Sequence, residues 1–363
     1  LVSDVVFVLD KSTSAEVEEQ LLTMLNDLNA QVTETGAKVN IGIVIFNRKA
    51  NRVLELTELN ADNIPEIKAA VETEISSGTN THAGLLAGKE MLDADTDVAA
   101  NRKYLVFISD GITYMYNAEP TAIGLQNGDK TNIFAGPDNW NTKYGNNNAP
   151  GNWETWLSVI AAMLETDADK NYDQPYSTNF NSGTVPYIAY DDRENHAMSI
   201  DKALYLTNQV YQEAKATGYH CYAMTATSNA IHPWAASFMS YLANGETVDF
   251  TDIQNDIYYL LDAGSYVVDE IGNDVYNGRA YDFDFVKDTD DLTLTVGGNQ
   301  YTATAVTEGL SEGETARYTF TYEGVTATNG ADAPFILRYF QDGTTYEGNE
   351  YDECFVWEIN VPV

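Results

Sequence analysis

Asp10, Ser12 and Ser14 put three oxygen-bearing side chains at every second position of DKSTS, directly after the apolar run DVVFVLD. In a loop, a spacing of two lets all three oxygens turn towards one point and face a hard cation. The same residues also suit a helix start, with Ser14 as N-cap and Glu16 in a first turn favoured by the helix dipole. The two readings are compatible, and the segment alone does not choose between them.

Two further segments bring more oxygen. SGTNTHAGL offers Thr79 and Thr81 in a glycine-preceded turn before a helix. VFISDG places Asp110 at the carboxyl end of an apolar strand, where Gly111 lets the chain leave sharply. With these strands side by side, three loops at one sheet edge supply two carboxylates, two serine hydroxyls and a threonine hydroxyl. Hard oxygen donors carrying little charge suit Mg²⁺ or Mn²⁺ better than Ca²⁺ or Zn²⁺. His82, His196, His220 and His232 are scattered, so no Cys/His cluster competes.

The elements that must position these residues read as an alternation of strands and helices. DVVFVLD and KYLVFISDG are near-continuous apolar runs, as expected of strands buried on both faces of a parallel sheet. KVNIGIVIFN is a third such strand, and NRVLELTEL alternates like an edge strand. Val17, Leu21, Leu22, Leu25, Leu28 and Val32 recur at helical spacing, and further helices are predicted over 61–75 and 82–92. The rhythm resumes with a helix over 200–216, a strand over 218–226, and helices over 233–243 and 252–261. The fold class is α/β, a doubly wound and mostly parallel sheet.

Between 112 and 197 the pattern breaks into Asn-, Gly-, Pro- and Trp-rich sequence, with one short helix predicted over 153–164. So long an interruption is either a functional loop or a folded insertion, and it leaves the carboxyl end of a central strand, beside the ligand edge of such sheets. Trp140, Tyr144, Trp153 and Trp156 are candidates for a protein- or glycan-binding face. The alternative is that these aromatics build the insertion's own small core. From about 265 the chain changes class: LTLTVGG, YTATAV, ARYTFTYEGV, FILRYFQDG and CFVWEINV are short alternating segments between Gly, Asp and Asn turns. They predict an antiparallel β-sandwich over 265–363, behind an α/β domain over 1–264. The sandwich is either complete or lacks a strand upstream of Leu1.

Composition narrows the partners. The 363 residues hold 19 Lys and Arg against 55 Asp and Glu, a net charge of −36. Such a surface repels phosphate backbones and anionic headgroups and attracts divalent cations, which argues against nucleic acid or direct membrane binding. No apolar run approaches the roughly 20 residues needed to span a bilayer, and no signal peptide is visible. A start directly on a strand is expected of a mature or excised fragment. Cys221 and Cys354 are expected as free thiols rather than a bridge. The acidic stretches DADTDVAAN and DFDFVKDTDD read as solvated turns, since they lack the Gly and terminal Glu of an EF-hand loop. No nucleophile–His–acid set, phosphate-cradling loop or dinucleotide fingerprint follows a suitable strand, so an enzyme is not expected.

Asp10, Ser12, Ser14, Thr79 and Asp110 together resemble the metal-ion-dependent adhesion site of von Willebrand factor A domains: a D-x-S-x-S loop, a threonine in a Gly-Thr loop and a strand-end Asp-Gly. Thr79 matches the motif threonine and Thr81 does not. The resemblance covers about residues 1–262. It implies that Ser12 and Ser14 hold Mg²⁺ directly and Thr79 directly or through water, with Asp10 and Asp110 as direct or water-mediated ligands and one position open for a partner's acidic residue. The β-rich tail is similar to the immunoglobulin-like, Cna-type sandwiches of Gram-positive surface proteins, whose pilus-tip adhesins carry an A domain with long inserted arms. That similarity implies an extracellular protein of the cell wall or pilus that binds a host or matrix protein. No sortase signal is visible. Such sandwiches often hold a Lys–Asn isopeptide bond, for which Lys287 and Asn360 are the candidates; the other reading is a solvent-facing Lys and a strand-end Asn. A structural pilus subunit, contacting backbone subunits and using the metal as a fold staple, is the alternative function. A regulatory subunit of an intracellular AAA-type machine is a third, disfavoured by the tail and the acidity.

Overall fold

β1 (Val2–Asp10) is apolar because the sheet covers both its faces: every residue from Ser3 to Asp10 is buried. The structure is a computed structural model. It describes residues 2–11, 15–75, 78–123, 148–176, 188, 195–226, 232–262, 264–272, 275–280, 283, 285–341 and 343–361. By their contacts these residues divide into two units, 2–254 and 255–363.

In the first unit, α1 (Ala15–Thr35) buries Val17, Leu21, Leu25, Leu28 and Val32 along one stripe. β2 (Lys38–Phe46) returns parallel to β1, in register from Val2 opposite Lys38 to Asp10 opposite Phe46. β3 (Ala50–Glu58) turns back antiparallel and forms one edge of the sheet. After α2 (Ile64–Val71) and α3 (Thr81–Ala94), β4 (Lys103–Ser109) pairs parallel with β1 on its other side. Next come β5 (Thr121–Ile123), α4 (Trp153–Asp167), β6 (Asp173–Pro175), α5 (Ser199–Ala216) and β7 (His220–Thr225). β7 completes a sheet of order β3-β2-β1-β4-β7, and β5 and β6 form a separate antiparallel ribbon. α6 (Pro233–Leu242) follows β7, and α7 (Phe250–Asp262) contains the division between the units. Growth of the sheet reverses direction between β1 and β4. That is the topological switch point at which open α/β sheets bind ligands, beyond the carboxyl ends of the strands.

Part of the irregular stretch belongs to the main core. α4 starts on the Asn152 cap, whose side chain accepts from Thr155 N, and buries Trp153, Trp156, Leu157 and Ile160. Trp153 lies 5.3 Å from Trp156 and 5.2 Å from Phe238 of α6, centroid to centroid, and its indole N–H donates to Ser237 Oγ at 2.9 Å. Trp156 is fully buried. These two rings therefore present no binding face, and they serve the α/β core rather than a core of the insertion's own. Trp140 and Tyr144 lie outside the described residues.

The second unit contains β8 (Ser265–Glu270), β9 (Val275–Tyr276), β10 (Arg279–Ala280), β11 (Leu294–Val296), β12 (Asn299–Val306) and β13 (Glu314–Thr321). β14 (Phe335–Phe340), β15 (Thr344–Tyr346), β16 (Asn349–Tyr351) and β17 (Cys354–Ile359) complete it. Among the described residues, six strands form one antiparallel sheet of order β11-β12-β13-β14-β17-β8, accompanied by the ribbons β9–β10 and β15–β16. Tyr301, Tyr318, Phe320, Phe335 and Tyr339 fill one face, and Phe340, Cys354 and Val356 pack on the other. The Lys287 ammonium lies over the Tyr339 ring at 5.3 Å. The Asn360 amide is occupied elsewhere, donating to Ala333 O at 3.2 Å and accepting from Asn329 at 2.8 Å. Tyr339 pairs with Phe355, five residues before Asn360 and so about 17 Å along the strand. The structure thus does not bring the candidate isopeptide pair together. Cys221 and Cys354 are free.

Candidate metal site

The parallel register brings the ends of β1 and β4 together. Leu9 pairs with Ile108, so one step further Asp10 faces Ser109. Ser109 Oγ donates to Asp10 Oδ2 at 2.7 Å and accepts from Gly111 N at 3.0 Å. One buried hydroxyl thus ties the carboxylate of β1 to the turn after β4. In the sequence Ser109 is a lone hydroxyl inside an apolar strand, and only the register shows its role.

Asp110 follows immediately. Its Oδ1 accepts from Ile112 N at 2.9 Å, which closes a turn and fixes the carboxylate at the strand end. Burial pushes its pKa up, although the Ile112 N–H and the nearby His232 pull the other way. The protein therefore does not fully compensate the ionised form. Gly111 leaves at φ +82°, and a Cβ there would lie 2.3 Å from the Ala235 carbonyl oxygen on α6. Only glycine meets both conditions.

The third loop is fixed just as firmly. Gly78 takes φ +128° where the Arg48 side chain crosses it, and Thr79 behind it is buried. Asn80 is fully buried and makes three hydrogen bonds. Its Oδ1 accepts from Ala83 N at 3.0 Å, capping α3. Its Nδ2 donates to Arg48 O and to Asn117 O, each at 2.9 Å. One side chain thus joins the β2–β3 turn, the start of α3 and the chain after β4. The Thr81 hydroxyl is engaged by Thr207 Oγ1 on α5 at 2.7 Å. His82 Nδ1 accepts from Asn117 N at 2.9 Å. Burial, with help from the Lys202 charge, lowers its pKa to about 4.

Lys11, directly after β1, donates to Val71 O at the end of α2 at 2.8 Å and pairs with Glu18 of α1. Ser12 and Ser14 lie outside the described residues. Among the described residues no three His, Cys, Asp or Glu side chains converge. The described donors at this edge are Asp10, Thr79 and Asp110. Two carboxylates, one wholly and one partly removed from water, with a hydroxyl nearby, have the chemistry of a small hard-cation site that hydroxyls and water complete.

Residues 5–112 match the family model of the von Willebrand factor type A domain, a span that contains Asp10, Ser12, Ser14, Thr79 and Asp110. No curated protein matches the chain. Among solved structures, the PilB minor pilin from Streptococcus sanguinis is similar at 14% identity and a TM-score of 0.40, over 71% of this chain and 61% of that one. The pilus adhesin SpaC from Lactobacillus rhamnosus GG, in its open conformation, is similar at 14% identity and 0.40, over 99% and 43%. The vWF domain of the type V pili tip protein Mfa5 from Porphyromonas gingivalis is similar at 14% identity and 0.38, over 70% and 92%. The chain thus spans about three fifths of the first of these and under half of the second. At such identities and scores the likeness carries no inference about ligand or assembly.

Proposed function

We propose that the chain is an adhesive module of the cell surface, in which Asp10, Ser12, Ser14, Thr79 and Asp110 hold Mg²⁺ or Mn²⁺ for an acidic residue of a protein partner. The observation that carries this reading is the Asp10–Ser109–Gly111 tie, which fastens the buried carboxylate at the end of β1 to the turn that bears Asp110, at the switch point of the sheet. When bound, the cation supplies a positive centre with a coordination position for the partner's carboxylate. The chain's own residues do the rest. Ser109 orients Asp10, the turn at Ile112 orients Asp110, and Asn80 holds the Thr79 loop against both neighbouring loops. A host or matrix protein is the partner class, with the wall or pilus as location. The five-residue motif, the immunoglobulin-like pattern of the tail and the acidic surface support this, since an acidic module needs a bridging cation to attract an acidic ligand.

The test is adhesion to immobilised matrix proteins in Mg²⁺, in EDTA, and with Asp10→Ala. The expected result is loss of binding in the last two conditions. Undiminished adhesion in both would overturn the metal-bridged mechanism. The complete burial of Asp10 favours a second role, a fold staple in a pilus or surface subunit. A large drop in melting temperature on chelation, with binding only to sister subunits, would favour that role instead.

A further inference from the structure

In a chain of net charge −36, basic residues are adjacent in sequence at only two places, Arg48-Lys49 and Arg102-Lys103. Arg102 and Lys103 are each 4% exposed, whereas Arg48 and Lys49 are exposed at the turn between β2 and β3. That turn is held firmly. Asn47 N donates to Lys49 O and Lys49 N donates to Asn47 Oδ1, each at 3.1 Å, and Asn80 binds Arg48 O.

The Arg48 side chain runs from this turn to the candidate metal site. It lies across Gly78, the residue before Thr79, where a Cβ would come within 2.6 Å of its Cγ. Its guanidinium sits over the Tyr176 ring, 5.4 Å from the centroid, and Tyr176 packs against Tyr114 at 5.9 Å. Burial and Tyr176 push the Tyr114 pKa up, while Arg48 and the Thr79 backbone act the other way, so the Tyr114 hydroxyl neighbours both. A path of contacts thus leads from the candidate ligand Thr79 through Tyr114 and Tyr176 to Arg48.

The other cations around it are already paired. Lys49 holds Glu119 at 2.8 Å, Arg52 holds Glu55 at 2.5 Å and Lys202 holds Asp173 at 3.0 Å. Among the described residues Arg48 has no carboxylate partner. Beside it opens a groove of about 610 Å³, lined by Lys49, Asn117, Glu119, Asp173, Gln174 and Tyr176 among others. Its two carboxylates are the ones that Lys49 and Lys202 neutralise, so the exposed charge left over is positive. A guanidinium stacked on an aromatic ring keeps its planar N–H fork directed for a bidentate carboxylate.

We propose that Arg48, stacked on Tyr176, takes a second carboxylate of the partner, so that the segment bound here is an acidic peptide with two acidic residues a few positions apart. This rests on the reading above, in which the first carboxylate meets the cation. The same fork fixes the register of that peptide and turns away basic segments. Because Arg48 lies against the residue next to Thr79, the spacings that matter are two to four residues, about 7–14 Å of extended chain.

The experiment titrates short Gly-Ser peptides, carrying either one aspartate or two aspartates at those spacings, onto the chain in Mg²⁺ and in EDTA by calorimetry. In Mg²⁺ the best two-aspartate peptide should bind about fivefold tighter than the one-aspartate peptide, the upper range for an exposed ion pair. Two identical carboxylates give about twofold by statistics alone, so Arg48→Gln should cut the ratio to that level and Arg48→Lys should restore part of it. The ratio reads the second contact even where a variant also loosens the Thr79 loop. A wild-type ratio of about two, with binding still dependent on Mg²⁺, would overturn this proposal alone. An unchanged ratio in Arg48→Gln would do the same. No binding of either peptide in Mg²⁺ up to about 10 mM, beyond the millimolar range of one weak contact, would overturn the cation reading and this proposal with it. Heparin bound through Arg48 more tightly than the two-aspartate peptide would replace the acidic peptide by an anionic glycan.

Discussion

Replacing Asn80 by alanine tests whether the candidate site and the fold share a joint. Loss of the α3 N-cap costs about 1 kcal/mol. The carbonyls of Arg48 and Asn117 each lose a donor in a part-buried setting, at the lower end of the range, about 1 kcal/mol apiece. The sum is about 3 kcal/mol, a large fraction of the roughly 5–15 kcal/mol that holds a domain together. At about 2–4 °C per kcal/mol for a unit of this size, the transition should fall by about 6–12 °C. Asn80→Asp separates the terms, because it keeps the cap acceptor and loses only the two donors. Trp153, Trp156 and Trp234 lie in the α/β core and Trp357 in the second unit, so fluorescence in a thermal melt reports the α/β unit once every variant is made in a Trp357→Phe background. A fall of less than about 2 °C for Asn80→Ala, below the shift expected from 1 kcal/mol, would refute the claim that Asn80 joins three segments. So would an Asn80→Asp variant indistinguishable from wild type.

Two further outcomes follow from titrating groups. His82 has a folded pKa of about 4 against 6.5 unperturbed. The unfolded chain therefore binds the proton first, and stability falls as pH drops from 6.5 towards 4, by up to about 3 kcal/mol. His82→Asn keeps an acceptor for Asn117 N–H and should flatten urea midpoints across that window; a slope equal to wild type would rule out His82 as its source. Asp110 titrates in the opposite sense: burial raises its folded pKa, so the folded state binds the proton more tightly and stability declines as pH rises through that pKa. Asp110→Asn should therefore melt higher than wild type at pH 7 in EDTA while losing any Mg²⁺ stabilisation. A lower melting temperature in EDTA would contradict the assignment.

The central strands were legible because buried parallel strands read as unbroken apolar runs, and Asp10, Thr79 and Asp110 were legible as oxygen donors at strand and helix ends. What holds them was not. Asn80 reads as an ordinary N-cap, since that role is local, whereas its two donors reach carbonyls 32 and 37 residues away. Ser109 reads as a strand residue until the register sets it against Asp10. Trp153 and Trp156 looked like part of an insertion because helical periodicity shows that a face is apolar and not which core receives it. The Lys287–Asn360 pairing failed for a related reason: sequence gives the residue types but not the position along the strand at which each side chain sits.

Where the turn after β4 passes α6, the two backbones meet with no side chain between them, at Gly111 and Ala235. Packed side chains yield by changing rotamer; backbone against backbone has no such give. In mechanical terms this contact is a hard stop. A displacement of the turn towards α6 is passed on undiminished, while a displacement away from it is not passed on at all. Through this contact the loop that carries Asp110 can therefore push on α6 but cannot pull it, so any response passed between these two segments this way has a built-in direction.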